Sequence, residues 1–148
     1  MDRTVRPYRD EDFSPVWALE RARDSEGYTS AVVIRQAAVL WPGTFLVVDE
    51  EGMAVGYVIG AVSADPSEGW ILRLKVRSDR HRRGCARALL AEVTARLRDM
   101  GVLTLRLTVA PDNTPARALY ERFGFKRETL LPDYFGPGEV RFQLAAHL

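Results

Sequence analysis

One segment, Trp70–Met100, limits the possible folds of this 148-residue chain more than any other: WILRLKVRSDRHRRGCARALLAEVTARLRDM. It opens with strict alternation. Trp70, Leu72, Leu74 and Val76 fall on one face of an extended strand, and Ile71, Arg73 and Lys75 on the other. It closes with Ala86, Leu89, Leu90, Val93, Leu97 and Met100, whose spacing makes one helical stripe. Gly101 stops that helix, and the next residues, LTLRLTV, alternate again. A strand, a helix and a second strand joined this closely predict a parallel pair with a right-handed crossover.

The joint between the first strand and the helix is strongly basic. Five arginines lie within Arg77–Arg87, with Gly84 among them. A helix start presents unpaired backbone N–H groups and a partial positive charge, and glycine lets the backbone approach a ligand closely. The combination suits an anion, most simply a phosphate. A charge cluster can also be only a solvated face. There is no G-x-x-x-x-G-K-[ST] sequence and no G-x-G-x-x-G after the strand, so neither a P-loop nor a dinucleotide fingerprint is present.

The remaining pattern supplies the frame. RTVRPY reads as a strand, DEDFSPVWALERAR as a first helix with Phe13, Val16, Trp17 and Leu19 behind its acidic start, and YTSAVVIRQAAVL as a second helix broken at Pro42-Gly43. TFLVVDEEGMAVGYVIGAV is two β-rich runs around Asp49–Gly52, a hairpin signature. Asn113 or Thr114 caps a fourth helix with Pro115 in its first turn and Ala116, Leu119, Tyr120 and Phe123 as its stripe. FKRETLL and VRFQLAAHL close the chain as strands around the turn-rich PDYFGPGE. The expected fold is α/β (α+β), a mixed central sheet of about six to seven strands flanked by about four helices. Residues 1–148 are expected to form a single domain.

Composition excludes several function classes. The net charge of +1 gives no overall pull toward nucleic acid or an anionic membrane. It is unevenly placed: residues 1–50 carry 6 Lys/Arg against 9 Asp/Glu, and residues 51–148 carry 15 against 11. Cys85 is the only cysteine, which rules out an internal disulfide, and two histidines far apart in sequence make no metal site expected. The charged opening MDRTVRPYRDEDF has no signal-peptide pattern and no apolar run is long enough to span a bilayer, so a cytoplasmic setting without membrane attachment is expected.

Two stretches, LKVRSDRHRRGCARALL and NTPARALYERFGF, together resemble the GNAT superfamily of N-acetyltransferases. The first matches its loop Q/R-x-x-G-x-G/A through Gly84 and Ala86, with His81 in place of Gln or Arg; the second matches N-x-x-A-x-x-x-Y through Asn113, Ala116 and Tyr120, followed by Gly124-Phe125. The element order also fits over nearly the whole chain, in a layout similar to that of the ribosomal-protein N-terminal-alanine acetyltransferases. The resemblance implies acetyl-CoA as cofactor. Backbone groups of Leu74, Lys75 and Val76 would bond the pantetheine arm, and the loop His81, Arg82, Arg83, Gly84, Cys85, Ala86 and Arg87 the pyrophosphate. Asn113 would bond the pantetheine region. Tyr120 would lie near the sulfur as general acid, its ordinary pKa of about 10 a fair match to a thiol of about 8.5.

The implied reaction is attack of a primary amine on the thioester, with a protein N-terminus, a lysine or a small molecule as acceptor. Thr108 stands where the ribosomal-protein enzymes carry a glutamate, and threonine cannot be that base. Glu68, before the strand, is a candidate base; a bound water is the alternative. Acidic Glu20, Asp24 and Glu26, with Tyr28 and Trp41, are expected to line the acceptor's approach, and Asp133 and Tyr134 to close its other side. Two other readings stay open: a module that senses acetyl-CoA without turnover, and a nucleic-acid binder built on Arg77–Arg87. The second would want interleaved aromatic residues, which this cluster lacks. The protein is expected to be a monomer or homodimer with no nucleic-acid partner.

Overall fold

In the computed structural model, which describes residues 3–21, 28–81 and 83–148, these patterns become seven strands and four helices. The order is β1 (Arg3–Pro7), α1 (Phe13–Arg21), α2 (Tyr28–Leu40), β2 (Phe45–Glu50), β3 (Met53–Val62), β4 (Glu68–Val76), α3 (Cys85–Asp99), β5 (Thr104–Val109), α4 (Thr114–Arg122), β6 (Lys126–Leu131) and β7 (Arg141–His147). The sheet runs β1-β2-β3-β4-β5-β7-β6. The expected parallel pair is β4 with β5, over Glu68–Trp70 and Thr104–Arg106, while β1–β2, β2–β3, β5–β7 and β6–β7 are antiparallel. Among the described residues no helix is long and apolar enough to cross a membrane, and no group of three or more His, Cys, Asp or Glu could hold a metal ion.

The chain forms two compact units, residues 1–61 with 72–97, and residues 62–71 with 98–148. In the first, Val16, Ile34 and Ala37 of α1 and α2 pack on Phe45, Val47, Tyr57 and Ile59. Leu46, Val48 and Val58 point to the opposite face of the same strands and are fully buried too, as are Leu89, Leu90, Val93 and Leu97 of α3. Gly56 permits the close approach of β4. A Cβ there would lie 2.9 Å from Val48 Cγ1 and 3.0 Å from the Lys75 carbonyl oxygen. In the second unit the β5–β7 register places Leu105 opposite Ala146, Leu107 opposite Leu144 and Val109 opposite Phe142, all buried.

Three expectations need correction. The first helix does not begin at Asp10. Asp10–Asp12 is a 3-10 turn that runs into α1 at Phe13, with the Asp12 carboxylate accepting the Arg9 N–H at 2.8 Å and both terminal nitrogens of Arg6 at 2.8 and 2.9 Å. The α3 stripe is Cys85, Leu89, Leu90, Val93 and Leu97. Cys85, one turn before Leu89, takes the place given to Ala86, and Met100 lies beyond the helix and exposed. In β4 it is Gly69 and Ile71 that are buried while Leu72 is exposed. Strict alternation sorts faces only when one side of a sheet is solvated.

Candidate functional site

The strand–loop–helix joint lies wholly in the first unit. After Val76 the chain makes a 3-10 turn, Ser78–Arg80, and then the loop leading to α3. Gly84 has φ +81°, a left-handed conformation that side chains rarely adopt. Its carbonyl accepts the Ala88 N–H at 2.9 Å, the first bond of the helix. The N–H groups of Cys85, Ala86 and Arg87 therefore precede the helical ladder, and no acidic residue stands in that first turn. Arg83 and Arg87 are exposed beside them, whereas Arg82 lies outside the described residues. The donors and charges fit a pyrophosphate, and a side chain larger than hydrogen at Gly84 would strain the cradle.

Not all five arginines serve as free positive charge. Arg77 Nε bonds Asp79 Oδ1 at 2.6 Å, and Arg80 bonds both Asp79 (3.1 Å) and the buried Glu50 (2.5 Å). The Arg77 guanidinium beside it holds the Asp79 carboxyl below its ordinary value. The His81 ring returns to the strand, with Nε2 2.8 Å from the Val76 carbonyl oxygen. Cys85 is buried, so its backbone and not its thiol is what a ligand can reach.

The second unit carries Asn113 and Tyr120. The Asn113 side chain caps α4 by accepting the Ala116 N–H at 3.3 Å, with Pro115 in the first turn. Of the stripe expected on α4 only Tyr120 is buried. Its ring meets Phe125 edge-on at 5.7 Å between centroids. Burial alone pushes the Tyr120 hydroxyl up to about 12. Among the described residues that hydroxyl makes no hydrogen bond, yet the fully enclosed hydroxyls without partners are those of Tyr8 and Thr94. The Tyr120 oxygen therefore keeps some access to solvent.

The residues read as base and acceptor contacts fare differently. Glu68 begins β4, six residues before Leu74, and is bound to Arg106 at 2.9 Å. Its carboxylate is thus held in an ion pair rather than left free as a base. Glu20 is not an open acid: it is 7% exposed, accepts the Tyr57 hydroxyl and lies 3.7 Å from Arg73 Nε. Asp24 and Glu26 lie outside the described residues, as does the side chain of Tyr28. Trp41 is half-buried against the first unit's core. Asp133 accepts the Gly138 N–H at 2.7 Å within its own loop, and Tyr134 is exposed beside Phe135. Thr108 pairs with Gln143 across β5–β7. The sequence reading passed over Glu50, Tyr57 and Arg73. Glu50 left only a faint signal, for with Asp49 it ends a strand whose other residues, Phe45–Val48, are apolar.

Comparison with known proteins follows the same outline. The family model described as Acetyltransferase (GNAT) family matches residues 4–125. An uncharacterized N-acetyltransferase of Methanocaldococcus jannaschii is 28% identical over 138 residues, covering 91% of this chain and 85% of that protein. An N-alpha-acetyltransferase of Saccharolobus solfataricus is 25% identical, covering 99% and 94%. The crystal structure of Ard1 from Thermoplasma volcanium superposes with a TM-score of 0.91 at 26% identity, covering 100% of this chain and 99% of that one.

Proposed function

The chain belongs to the GNAT acetyltransferase family, whose donor is acetyl-CoA, and from that premise we propose that it acetylates a primary amine, the α-amine of a protein or peptide N-terminus before others. The observation that carries the reading is the left-handed Gly84 at the open start of α3, with exposed Arg83 and Arg87. The family match runs from residue 4 to residue 125 and so draws on both units, which supports reading residues 1–148 as one catalytic domain. The near full-length likeness to an N-alpha-acetyltransferase supports the α-amine.

Acetyl-CoA supplies the activated thioester. The loop residues hold its pyrophosphate through the N–H groups of Cys85, Ala86 and Arg87, with Arg82, Arg83 and Arg87 adding charge. Leu74, Lys75 and Val76 bond the pantetheine arm through their backbone, as Asn113 does through its side chain. The amine must be neutral to attack. Neither Thr108 nor Glu68 is suited to take its proton, so a bound water carries it away. As the C–N bond forms and the C–S bond breaks, negative charge collects on sulfur, and Tyr120 meets it.

The Tyr120 role differs from the one its ordinary pKa suggested. A hydroxyl at about 12 gives its proton only uphill to a thiolate whose conjugate acid is near about 8.5. Tyr120 therefore stabilises the departing sulfur as a hydrogen-bond donor, and the proton arrives afterwards from solvent.

The test is product mass after incubation with acetyl-CoA and a panel of acceptors: N-terminal peptides with free and blocked α-amines, lysine peptides, polyamines and amino acids. A gain of one acetyl group on a free α-amine, absent from the blocked peptide and from the Gly84→Glu variant, is expected. Acetylation confined to side-chain or small-molecule amines would overturn the acceptor assignment.

A further inference from the structure

Glu50 is a charged side chain where the core would otherwise be apolar. It ends β2, is 5% exposed in its side chain, and faces outward partners on both flanks of the pyrophosphate loop. One carboxylate oxygen accepts Arg80 Nε at 2.5 Å, just before the loop; the other lies 3.8 Å from Cys85 Sγ, just after it. The antiparallel register sets Arg3 directly opposite Glu50. From there the Arg3 guanidinium donates to the Arg83 carbonyl and to Cys85 Sγ at 3.7 Å, and would lie 3.5 Å from a Cβ on Gly84. The loop is thus gripped at Arg80, Arg83 and Cys85 from the β1–β2 edge, and His81 ties it to Val76.

Resting on the reading of this loop as the pyrophosphate site, we propose that Arg3, Glu50 and Arg80 form a brace that holds it in its anion-binding conformation. They are positioning residues: none is assigned to the donor, and each acts through the backbone between Arg80 and Cys85. A buried carboxylate is costly unless fully paired, and here its pairing is spent on the two ends of one loop. Arg3, 80 residues upstream of Arg83, donates to the Arg83 carbonyl and to the Cys85 thiol. With the Arg83 carbonyl engaged by Arg3, the N–H groups of Cys85, Ala86 and Arg87 that precede the helical ladder remain for a ligand. The brace does the ordering before the donor arrives, so binding loses less conformational entropy.

The experiment measures dissociation constants for CoA and for pantetheine, which lacks the pyrophosphate, by calorimetry or ligand-observed NMR. The proteins are wild type, Arg3→Ala, Glu50→Gln, Arg80→Lys and Gly84→Glu. In Arg3→Ala and Glu50→Gln, CoA is expected to weaken about tenfold, the worth of one charge-assisted hydrogen bond, while pantetheine stays within about twofold. Arg80→Lys, which keeps a positive charge opposite Glu50, should weaken CoA less than either of those variants does. Arg3 is exposed, so its variant carries the test if Glu50→Gln does not fold. Unchanged CoA affinity in both variants, alongside lost CoA binding in Gly84→Glu, would overturn the brace and leave the loop assignment standing. Equal weakening of CoA and pantetheine would reduce these residues to general stability. CoA binding unaffected by Gly84→Glu would remove the loop assignment and the brace with it.

Discussion

Replacing Tyr120 with phenylalanine separates what its hydroxyl does for the fold from what it does for the reaction. The ring keeps its place against Phe125, since only one oxygen is lost. Burial raises the hydroxyl from 10.0 to about 12, and that difference corresponds to about 2.7 kcal/mol between the ionised and neutral forms. The sign follows from proton binding. Below pH 10 both folded and unfolded chains hold the proton, and Tyr120 adds no pH dependence. Between about pH 10 and 12 the unfolded chain releases it while the folded chain retains it, so stability falls as pH rises. The phenylalanine variant lacks this decline. Urea unfolding followed by circular dichroism at pH 8.5, 10 and 11.5 should show near-equal stability at the lowest pH. At pH 11.5 the variant should gain about 2 kcal/mol on wild type. Taking the difference between the two proteins cancels the other tyrosines, including Tyr8, which burial also raises. A difference that stays flat from pH 8.5 to 11.5 would refute the buried-hydroxyl account.

The same variant tests the chemistry. A hydrogen bond to a charged acceptor is worth about 1.5–3 kcal/mol, so kcat should fall between about tenfold and a hundredfold while CoA affinity holds. With the hydroxyl near 12, wild-type kcat should show no alkaline loss assignable to Tyr120 below about pH 11. A clear decline near pH 10 that disappears in the variant would mean that Tyr120 ionises normally and can transfer its proton outright.

Arg6→Ala strips the partner from Asp12 and Asp49, whose carboxylates it bonds at 2.8–3.0 Å across the first strand, the 3-10 turn and β2; leaving Asp12 buried and unpaired should cost about 3 kcal/mol, read as a lower urea midpoint. Gly56→Ala drives a methyl against the Lys75 carbonyl oxygen, 3.0 Å away and part of the backbone; a loss of about 1–3 kcal/mol is expected, with weaker CoA binding because Lys75 belongs to the strand proposed for the pantetheine arm. For a cationic acceptor, neutralising Asp24 and Glu26 together should raise KM at low salt and flatten its rise with ionic strength. Glu20→Gln should leave acceptor KM unchanged and lower stability, because that carboxylate serves Tyr57 and Arg73; the opposite pattern would return Glu20 to the acceptor site.

What was legible in the sequence had a local period or a local exception. Residues Tyr28–Leu40 read as a helix with the bounds they have, and the β2–β3 hairpin, the β4–α3–β5 crossover and the Asn113 cap were all set by spacing and by residues that favour one backbone shape. Gly84 was legible as a position where the backbone needs glycine's freedom, and its φ is +81°. The contacts that hold these parts in working order left no such trace. Arg3 meets Arg83 across 80 residues, Glu50 meets Arg80 across 30, and Tyr57 meets Glu20 across 37. Each is a pairing of one side chain with one other, and no periodicity announces a single pair. The acids suffered most from this. Nine carboxylates in the first fifty residues looked like one field for a cationic substrate, but Asp12, Glu20 and Glu50 are buried. A carboxylate taken out of water must answer to a partner inside the protein before it can answer to a ligand. Charge counted along a chain therefore overstates what the surface offers. The loop arginines show the same effect, for Arg77 and Arg80 are bound to Asp79 and Glu50, which leaves exposed Arg83 and Arg87 and the backbone itself as the described sources of positive field at the helix start.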